Sequence, residues 1–211
     1  MKKPIIATTF AGLFVKQEPW DKAHILWYEH AAKQLKDETV KIWINKANYF
    51  QGVDEVMTRL YPSLSEKQRT IKARELFFDS VCQYIRQNSE IINSDIVEYF
   101  KTLKKKYRLA LITTNTKSAL ERILSLTKLT NLFDIVECSI PNEKDDKRIV
   151  FDRFLKKYGK PIIYIGGGRK DSYDFCREQK INCIFANLEN QENIEGVSTI
   201  HNLEEIKRNI S

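Results

Sequence analysis

The sequence has no apolar run of about 18 residues, the shortest length that a membrane-spanning helix needs. The start, "MKKPIIATTFAGLFV", resembles a secretory signal, but Pro4 and the Thr8–Thr9 pair interrupt its apolar stretch. The four cysteines form no CxxC pair and show no metal-ligand spacing, which favours reduced core thiols. Together these absences predict a cytoplasmic protein that does not contact membranes.

Acidic residues are outnumbered by basic ones, and the formal net charge of the chain is +7. The densest basic run, "KTLKKKYR" at 101–108, is typical of a helix end, where lysines complement the helix dipole. The sequence contains no aromatic RNA-binding strand and no paired-cysteine finger. A basic protein associated with nucleic acid therefore stays open as an alternative that charge alone supports.

Short apolar stretches alternate with helical patterns through most of the chain. Runs rich in β-branched and apolar residues are typical of strands covered on both faces, and the helices between them imply parallel crossovers. The pattern predicts an α/β fold, a Rossmann-like parallel sheet with helices on both faces. The predicted strands are 4–10, 108–114, 133–139, 161–167, 181–187 and, at an edge, 197–200.

One interval, 16–92, breaks this alternation because it contains only helix signals. Ser65 and Gln68 have the spacing of a capping box before an amphipathic helix. We interpret 16–92 as a helical cap domain inserted into an α/β core of residues 1–15 and 93–211. The cap contains all three tryptophans, either as core residues or as part of a groove against the sheet.

Four segments fall at the carboxyl ends of predicted strands, where ligands of open parallel sheets bind. In order and spacing they resemble the motifs of the haloacid dehalogenase (HAD) superfamily, in its capped phosphatase-like branch. The resemblance covers nearly the whole chain. The candidate residues are Thr9, Ala11, Gly12, Thr114, Asn115, Lys144, Gly166, Gly167 and Asp171, with Lys147 as an alternative to Lys144.

The resemblance implies specific roles for these positions. The family's first motif is Asp-x-Asp-Gly, whose first aspartate attacks phosphorus and whose second acts as acid and base. Thr9 and Ala11 stand at those two positions. Thr114 and Asn115 would bind phosphoryl oxygens. In the fourth motif Gly167 replaces one acid and Asp171 matches the other, so Asp171 alone could anchor Mg²⁺.

A threonine nucleophile would need a base, and Ala11 supplies none. The sequence therefore predicts a HAD-like binding or regulatory protein that is catalytically inactive, with vestigial positions Thr9 and Ala11, no metal and no cofactor. The expected partner is a phosphate-containing small molecule or another protein. A Mg²⁺-dependent phosphatase with non-standard catalytic residues is the alternative. The glycines at 166–168 either fill a turn or offer backbone N–H groups to an anion.

Overall fold

The computed structural model describes residues 3–45 and 52–210. Part of the predicted cap, 46–51, and residues 1, 2 and 211 therefore lie outside the described chain. Within it, six parallel strands form one sheet in the order β3-β2-β1-β4-β5-β6. The strands are β1 (Ile5–Thr8), β2 (Arg108–Thr116), β3 (Ile135–Ser139), β4 (Ile163–Gly166), β5 (Cys183–Ala186) and β6 (Ser198–Ile200).

Eight α-helices accompany this sheet in the described residues. Three of them, together with a 3₁₀ helix at Glu38–Asn45, lie between β1 and residue 88, and we call these the inserted helices. A second 3₁₀ turn covers Ser89–Ile91. The helices are α1 (Glu18–Leu35), α2 (Val53–Leu60), α3 (Glu66–Gln87), α4 (Ser94–Leu103), α5 (Lys117–Leu126), α6 (Lys147–Tyr158), α7 (Lys170–Glu178) and α8 (Leu203–Ile210).

The centre of the sheet is buried on both faces. All four residues of β1 are buried, and β1 pairs with β2 on one side and β4 on the other. These apolar stretches form strands because side chains alternate between two faces that helices cover. The predicted α/β parallel fold is confirmed. Since all strands run the same way, the carboxyl ends of β1, β2 and β4 meet at one edge.

The two faces of the sheet pack against different helices. On one face an apolar cluster joins the sheet to the inserted helices, where the Phe10 ring lies 6.3 Å from that of Trp20. On the other face α6 and α7 cover β4 with aromatic side chains, including Phe151 and Tyr173. No helix of the described residues is long and apolar enough to cross a membrane. The two apolar clusters therefore pack against the central strands β1, β2 and β4 from opposite faces of the sheet.

The start of α3 has the capping box that its sequence predicts. The Ser65 hydroxyl accepts a hydrogen bond from the Gln68 backbone N–H at 3.4 Å, and the Gln68 side chain accepts one from the Ser65 N–H at 2.9 Å. The buried stripe that follows includes Arg74, Phe77, Phe78, Val81 and Ile85. This capping box fixes where the 22-residue helix α3 begins.

Candidate functional site

A cavity of about 600 Å³ lies at the carboxyl edge of the sheet, under the inserted helices. Trp20, Phe77 and Phe78 line its upper side. The core contributes a set of polar and small residues from the loops that follow β1, β3 and β4, from the end of β2 and from the first turns of α6 and α7. These are Thr9, Ala11, Thr113, Thr114, Asn115, Asp145, Lys147, Gly167, Gly168, Arg169, Lys170 and Asp171.

The loop after β1 is pinned to the loop after β4. The Thr9 N–H donates to the Ile165 carbonyl oxygen at 3.2 Å, which continues the sheet one residue beyond the ladder. Gly12 adopts a φ of +76°, and a Cβ added there would lie 3.0 Å from the Gly167 Cα. A Cβ added to Gly167 would lie 2.7 Å from the Ala11 carbonyl oxygen. Glycine at 12 and 167 therefore permits a backbone contact that any side chain would force apart.

The end of β2 is irregular where it enters the cavity. The pairing of β2 with β3 shifts register between Thr113 and Thr116, so residues 114 and 115 leave the regular ladder. The Thr113 hydroxyl accepts a hydrogen bond from the Asn115 N–H at 3.1 Å. The Thr114 hydroxyl lines the cavity and accepts one from Arg169 at 3.3 Å. This irregularity brings hydroxyl and amide groups to the cavity wall.

Lys147 rather than Lys144 lines this cavity. Asp146 caps α6 by accepting a hydrogen bond from the Arg148 N–H, so the helix begins at Lys147, whose side chain is buried. Its ammonium donates to the Ile112 carbonyl oxygen of β2. Lys144 is exposed and lines a neighbouring cavity. The structure therefore places Lys147 in the first cavity with the other candidate residues, whereas Lys144 lines only the neighbouring cavity.

Burial dominates the electrostatics of Lys147. Desolvation, followed by the nearby Arg169 cation, lowers the pKa of Lys147 from its ordinary 10.5 to about 7, although Asp171 and Asp145 act in the opposite direction. A lysine in this range changes its charge near neutral pH. Its contribution to binding an anion therefore increases as the pH falls towards 6.

Arg169, which the sequence analysis did not single out, is the most connected side chain of the site. Its Nη2 and Nε donate to the two carboxylate oxygens of Asp171 at 2.6 and 3.2 Å. Its Nη1 donates to both oxygens of Asp145 at 3.1 and 3.3 Å. Burial alone would lower the pKa of Arg169, but Asp145 and Asp171 outweigh it, so the pKa is raised and the guanidinium stays charged.

The donors of the site do not fit a magnesium ion. Mg²⁺ binds through hard oxygen ligands, with carboxylates as anchors. Thr9, Ala11 and Gly167 offer no carboxylate, and the oxygens of Asp145 and Asp171 already accept hydrogen bonds from Arg169. In the described part of the chain no three metal-ligating side chains come together.

A second cavity of about 450 Å³ adjoins the first and shares three residues with it, Asp145, Arg169 and Asp171. Its other side is formed by the inserted helices, with Val53 and Met57 of α2 and with Arg69 and Arg74 of α3. The side chain of Arg74 is buried, with Asp145 and Glu143 nearby. The two cavities therefore form a continuous cleft between the sheet edge and the inserted helices.

Sequence reasoning found Thr114, Gly167 and Asp171 at this cleft but missed Asp145 and Arg169. Both missed residues lie next to motif positions, Asp145 between the two candidate lysines and Arg169 between the glycines and Asp171. Because Asp145 and Arg169 are oppositely charged residues beside motif positions, the sequence offered a reason to consider both as site residues. What the sequence does not indicate is that residues 24 positions apart pair with each other.

A family model described as haloacid dehalogenase-like hydrolase matches residues 20–185 of the chain. The matched segment begins after Thr9 and Ala11, so both replaced positions of the first motif lie outside it. Among curated proteins, none matches this sequence significantly.

Solved structures of HAD-like proteins share the fold over the full chain. A haloacid dehalogenase-like hydrolase family protein from Streptococcus pneumoniae superposes with a TM-score of 0.66 at 17% identity, covering 99% of both chains. A HAD phosphatase from Thermococcus onnurineus gives 0.65 at 14%, covering 100% of this chain and 98% of that one. A β-phosphoglucomutase from Clostridium difficile gives 0.63 at 16%, covering 99% and 96%. At these identities the likeness concerns the fold.

Proposed function

Because the chain belongs to the haloacid dehalogenase-like hydrolase family, we propose that it binds a phosphate-bearing small molecule in the cleft and does not hydrolyse it. The observation that carries this proposal is the composition of the cleft. Groups that can bind a phosphate line it, namely the Thr114 hydroxyl, the Lys147 ammonium and the Asn115 amide, while positions 9 and 11 carry no carboxylate.

The missing acids matter because phosphoryl transfer to the protein needs an anionic nucleophile and a proton donor for the leaving oxygen. Thr9 has neither a negative charge nor an acidic neighbour at position 11. Two of the carboxylates that line the cleft, Asp145 and Asp171, are held by Arg169. General acid–base help alone is worth about 10²–10⁴-fold in rate. Binding of phosphate needs none of these groups.

The hydrolase alternative needs a catalytic nucleophile at the same site. It requires Thr9 as the nucleophile or an unidentified group acting with Mg²⁺. The fold is that of the phosphatases reported above and gives equal support to both possibilities, so the distinction depends on residues 9 and 11. The nucleic-acid alternative uses the predicted cap and the lysine-rich helix end, whose turn at 104–106 precedes β2 and lies at the opposite edge of the sheet from the cleft.

A ligand screen by thermal unfolding tests the proposal. At pH 6, where Lys147 is protonated, inorganic phosphate and a panel of phosphorylated sugars and acids are compared with their unphosphorylated counterparts. A ligand at 100 times its dissociation constant adds about 2.7 kcal/mol to the free energy of unfolding. Lys147→Gln should weaken binding of the best phosphate compound by about 10- to 100-fold, because a hydrogen bond to a charged group is lost.

Lys156→Gln is the matched control, since it removes an exposed lysine of the same helix that lines neither cavity and should leave affinity unchanged. Release of phosphate from an aryl phosphate, with and without Mg²⁺, is measured in parallel. Turnover by the wild type that Thr9→Ala abolishes would establish the hydrolase alternative instead. Equal melting temperatures with phosphorylated and unphosphorylated compounds would contradict binding at this cleft.

A further inference from the structure

Arg169 sits between two carboxylates of the cleft, Asp145 and Asp171, in the manner of a bound cation. Its guanidinium contacts both oxygens of each acid, with distances of 2.6 and 3.2 Å to Asp171 and of 3.1 and 3.3 Å to Asp145. It also donates to the Thr114 hydroxyl at 3.3 Å. Every nitrogen of the side chain has an oxygen partner, so this cation is surrounded by hard oxygen atoms.

The position of this guanidinium is unexpected for the fold. By resemblance, Asp171 is the acid that would anchor a magnesium ion, yet its two oxygens are occupied by Arg169. We infer that Arg169 is a tethered cation that replaces the divalent metal of this site, so that Asp145 and Asp171 are neutralised and held in place by the chain itself. The site is then built to work without metal.

The backbone around Arg169 supports a fixed role for its side chain. The Arg169 N–H donates to the Gly167 carbonyl oxygen at 2.9 Å, and its own carbonyl accepts from the Ser172 N–H at 3.1 Å as α7 begins. Gly167 is in turn packed against the Ala11 carbonyl. The turn that projects the guanidinium is therefore held by the same contact that joins the two loops of the site.

The charges of the site agree with this assignment. Two carboxylates, Asp145 and Asp171, face the Arg169 guanidinium and the Lys147 ammonium, so the four groups are formally neutral when Lys147 is protonated. A divalent ion would have to displace a guanidinium that is covalently attached and always at the site. It would also approach a second cation. Arginine suits this place because its planar fork of donors matches carboxylates bidentately.

The inference predicts that removing the guanidinium creates a divalent cation site. Arg169→Gln leaves Asp145, Asp171 and the Thr114 hydroxyl around a vacated position. We expect Mn²⁺ to bind this variant with a dissociation constant of about 10⁻⁴–10⁻³ M, the range of weak oxygen-ligand sites. Saturating Mn²⁺ should raise its melting temperature by about 5 °C or more. The wild type should show no saturable increase.

Two controls make the test specific. Arg122→Gln removes an arginine whose side chain is 44% exposed, against 43% for Arg169, and whose partner Asp79 lies away from the cleft. It should gain no Mn²⁺ response. Adding Asp145→Asn and Asp171→Asn to Arg169→Gln should abolish the new site. Arg169→Lys keeps a tethered cation, so it should also bind no Mn²⁺ and serves as a second variant if Arg169→Gln folds poorly.

The titrations contain no phosphate compound, so their outcome does not depend on whether the proposed ligand is right. Saturable Mn²⁺ binding by the wild type would overturn the inference, because the guanidinium would then not exclude metal. So would a folded Arg169→Gln protein with no Mn²⁺ response. If that variant does not fold, Mn²⁺ binding by Arg169→Lys would overturn it as well.

Discussion

At the scale of single residues, the site depends on a few side chains whose neighbours change their chemistry. Lys147 is the clearest example, because the same residue type is exposed and solvated at position 144 but buried at 147. Burial lowers the pKa of Lys147 to about 7, which links the charge of the cleft to the stability of the whole chain.

The stability of the protein should rise with pH between about 7 and 10 through Lys147. Its pKa is about 7 in the folded state and 10.5 ordinarily. Between those values the unfolded chain binds more protons than the folded one, so deprotonation favours folding. The slope from this group is at most about 1.4 kcal/mol per pH unit. The destabilising effect of burying the charged Lys147 ammonium is fully present below pH 7 and is relieved as the pH rises and the group loses its proton.

Urea unfolding across this pH range, compared between the wild type and Lys147→Met, isolates the contribution. The variant's curve should be flatter by the slope given above, while Lys144→Met should keep the wild-type slope. Tyr28 is also buried, and its pKa is raised by desolvation, so it acts in the opposite direction at high pH. Because Tyr28 is present in all three proteins, it cancels in the difference. Parallel curves for wild type and Lys147→Met would contradict the prediction.

Gly167 is the second residue whose surroundings restrict which side chains can occupy its position. An added Cβ would meet the Ala11 carbonyl oxygen at 2.7 Å and the Gly12 Cα at 2.9 Å, both of them backbone atoms. We expect Gly167→Ala to lower the free energy of unfolding by about 1–3 kcal/mol through overpacking. An aspartate at this position would face the same contact, so the backbone would have to shift to accommodate it.

Gly168→Ala is the matched control for Gly167→Ala. The three atoms nearest to its Cβ would all belong to the Gln191 side chain, whose end can swing away, so we expect a smaller loss of stability. Chemical denaturation of both variants measures the difference. A Gly168→Ala protein less stable than Gly167→Ala would show that the contact between the two loops is not the constraint.

At the scale of secondary-structure elements, α3 connects the inserted helices to the site. It carries Arg69 and Arg74 to the second cavity and Phe77 and Phe78 to the first. The position of α3 is therefore part of the geometry of the cleft. The capping box at Ser65 fixes where this helix begins.

Ser65→Ala should cost about 0.5–2 kcal/mol, because the N–H groups of the first turn lose their capping acceptor. Ser80→Ala, within the same helix, is the matched control. The Ser80 hydroxyl donates to the Leu76 carbonyl, and alanine is the better helix former, so we expect little change or a small gain. Thermal unfolding of the two variants under identical conditions distinguishes these effects. Equal losses would contradict a specific capping role.

At the scale of the whole molecule, the strands were predictable and the pairing of charges was not. Apolar runs such as 108–114 indicate strands because both faces of the central sheet are buried. The capping residues of α3 could also be predicted from the sequence, because a capping box depends only on residues three positions apart. Whether Lys144 or Lys147 enters the cleft depends on where α6 begins. The contact between Arg169 and Asp145 joins two separate loops, so it depends on the completed fold.

Whether the predicted cap, 16–92, behaves as a separate domain stays a prediction, and the packing indicates how to test it. A single apolar cluster runs from the sheet into the inserted helices, with Phe10 touching Phe14, Trp20 and Phe133. Helices that share one core unfold together, whereas lobes with separate cores unfold apart. We therefore expect one cooperative transition for the whole chain.

The tryptophans allow this to be measured without labels. All three lie in the inserted segment, so their fluorescence reports on that segment, while far-UV circular dichroism reports on every helix and strand. Midpoints in urea should coincide for the two probes. Phe10→Ala, which removes a ring from the shared cluster, should lower both midpoints equally, by an amount corresponding to about 3–5 kcal/mol. A fluorescence transition that precedes the circular dichroism transition would instead mean that the inserted helices detach from the sheet as an independent unit. The cleft between them would then open before the core unfolds.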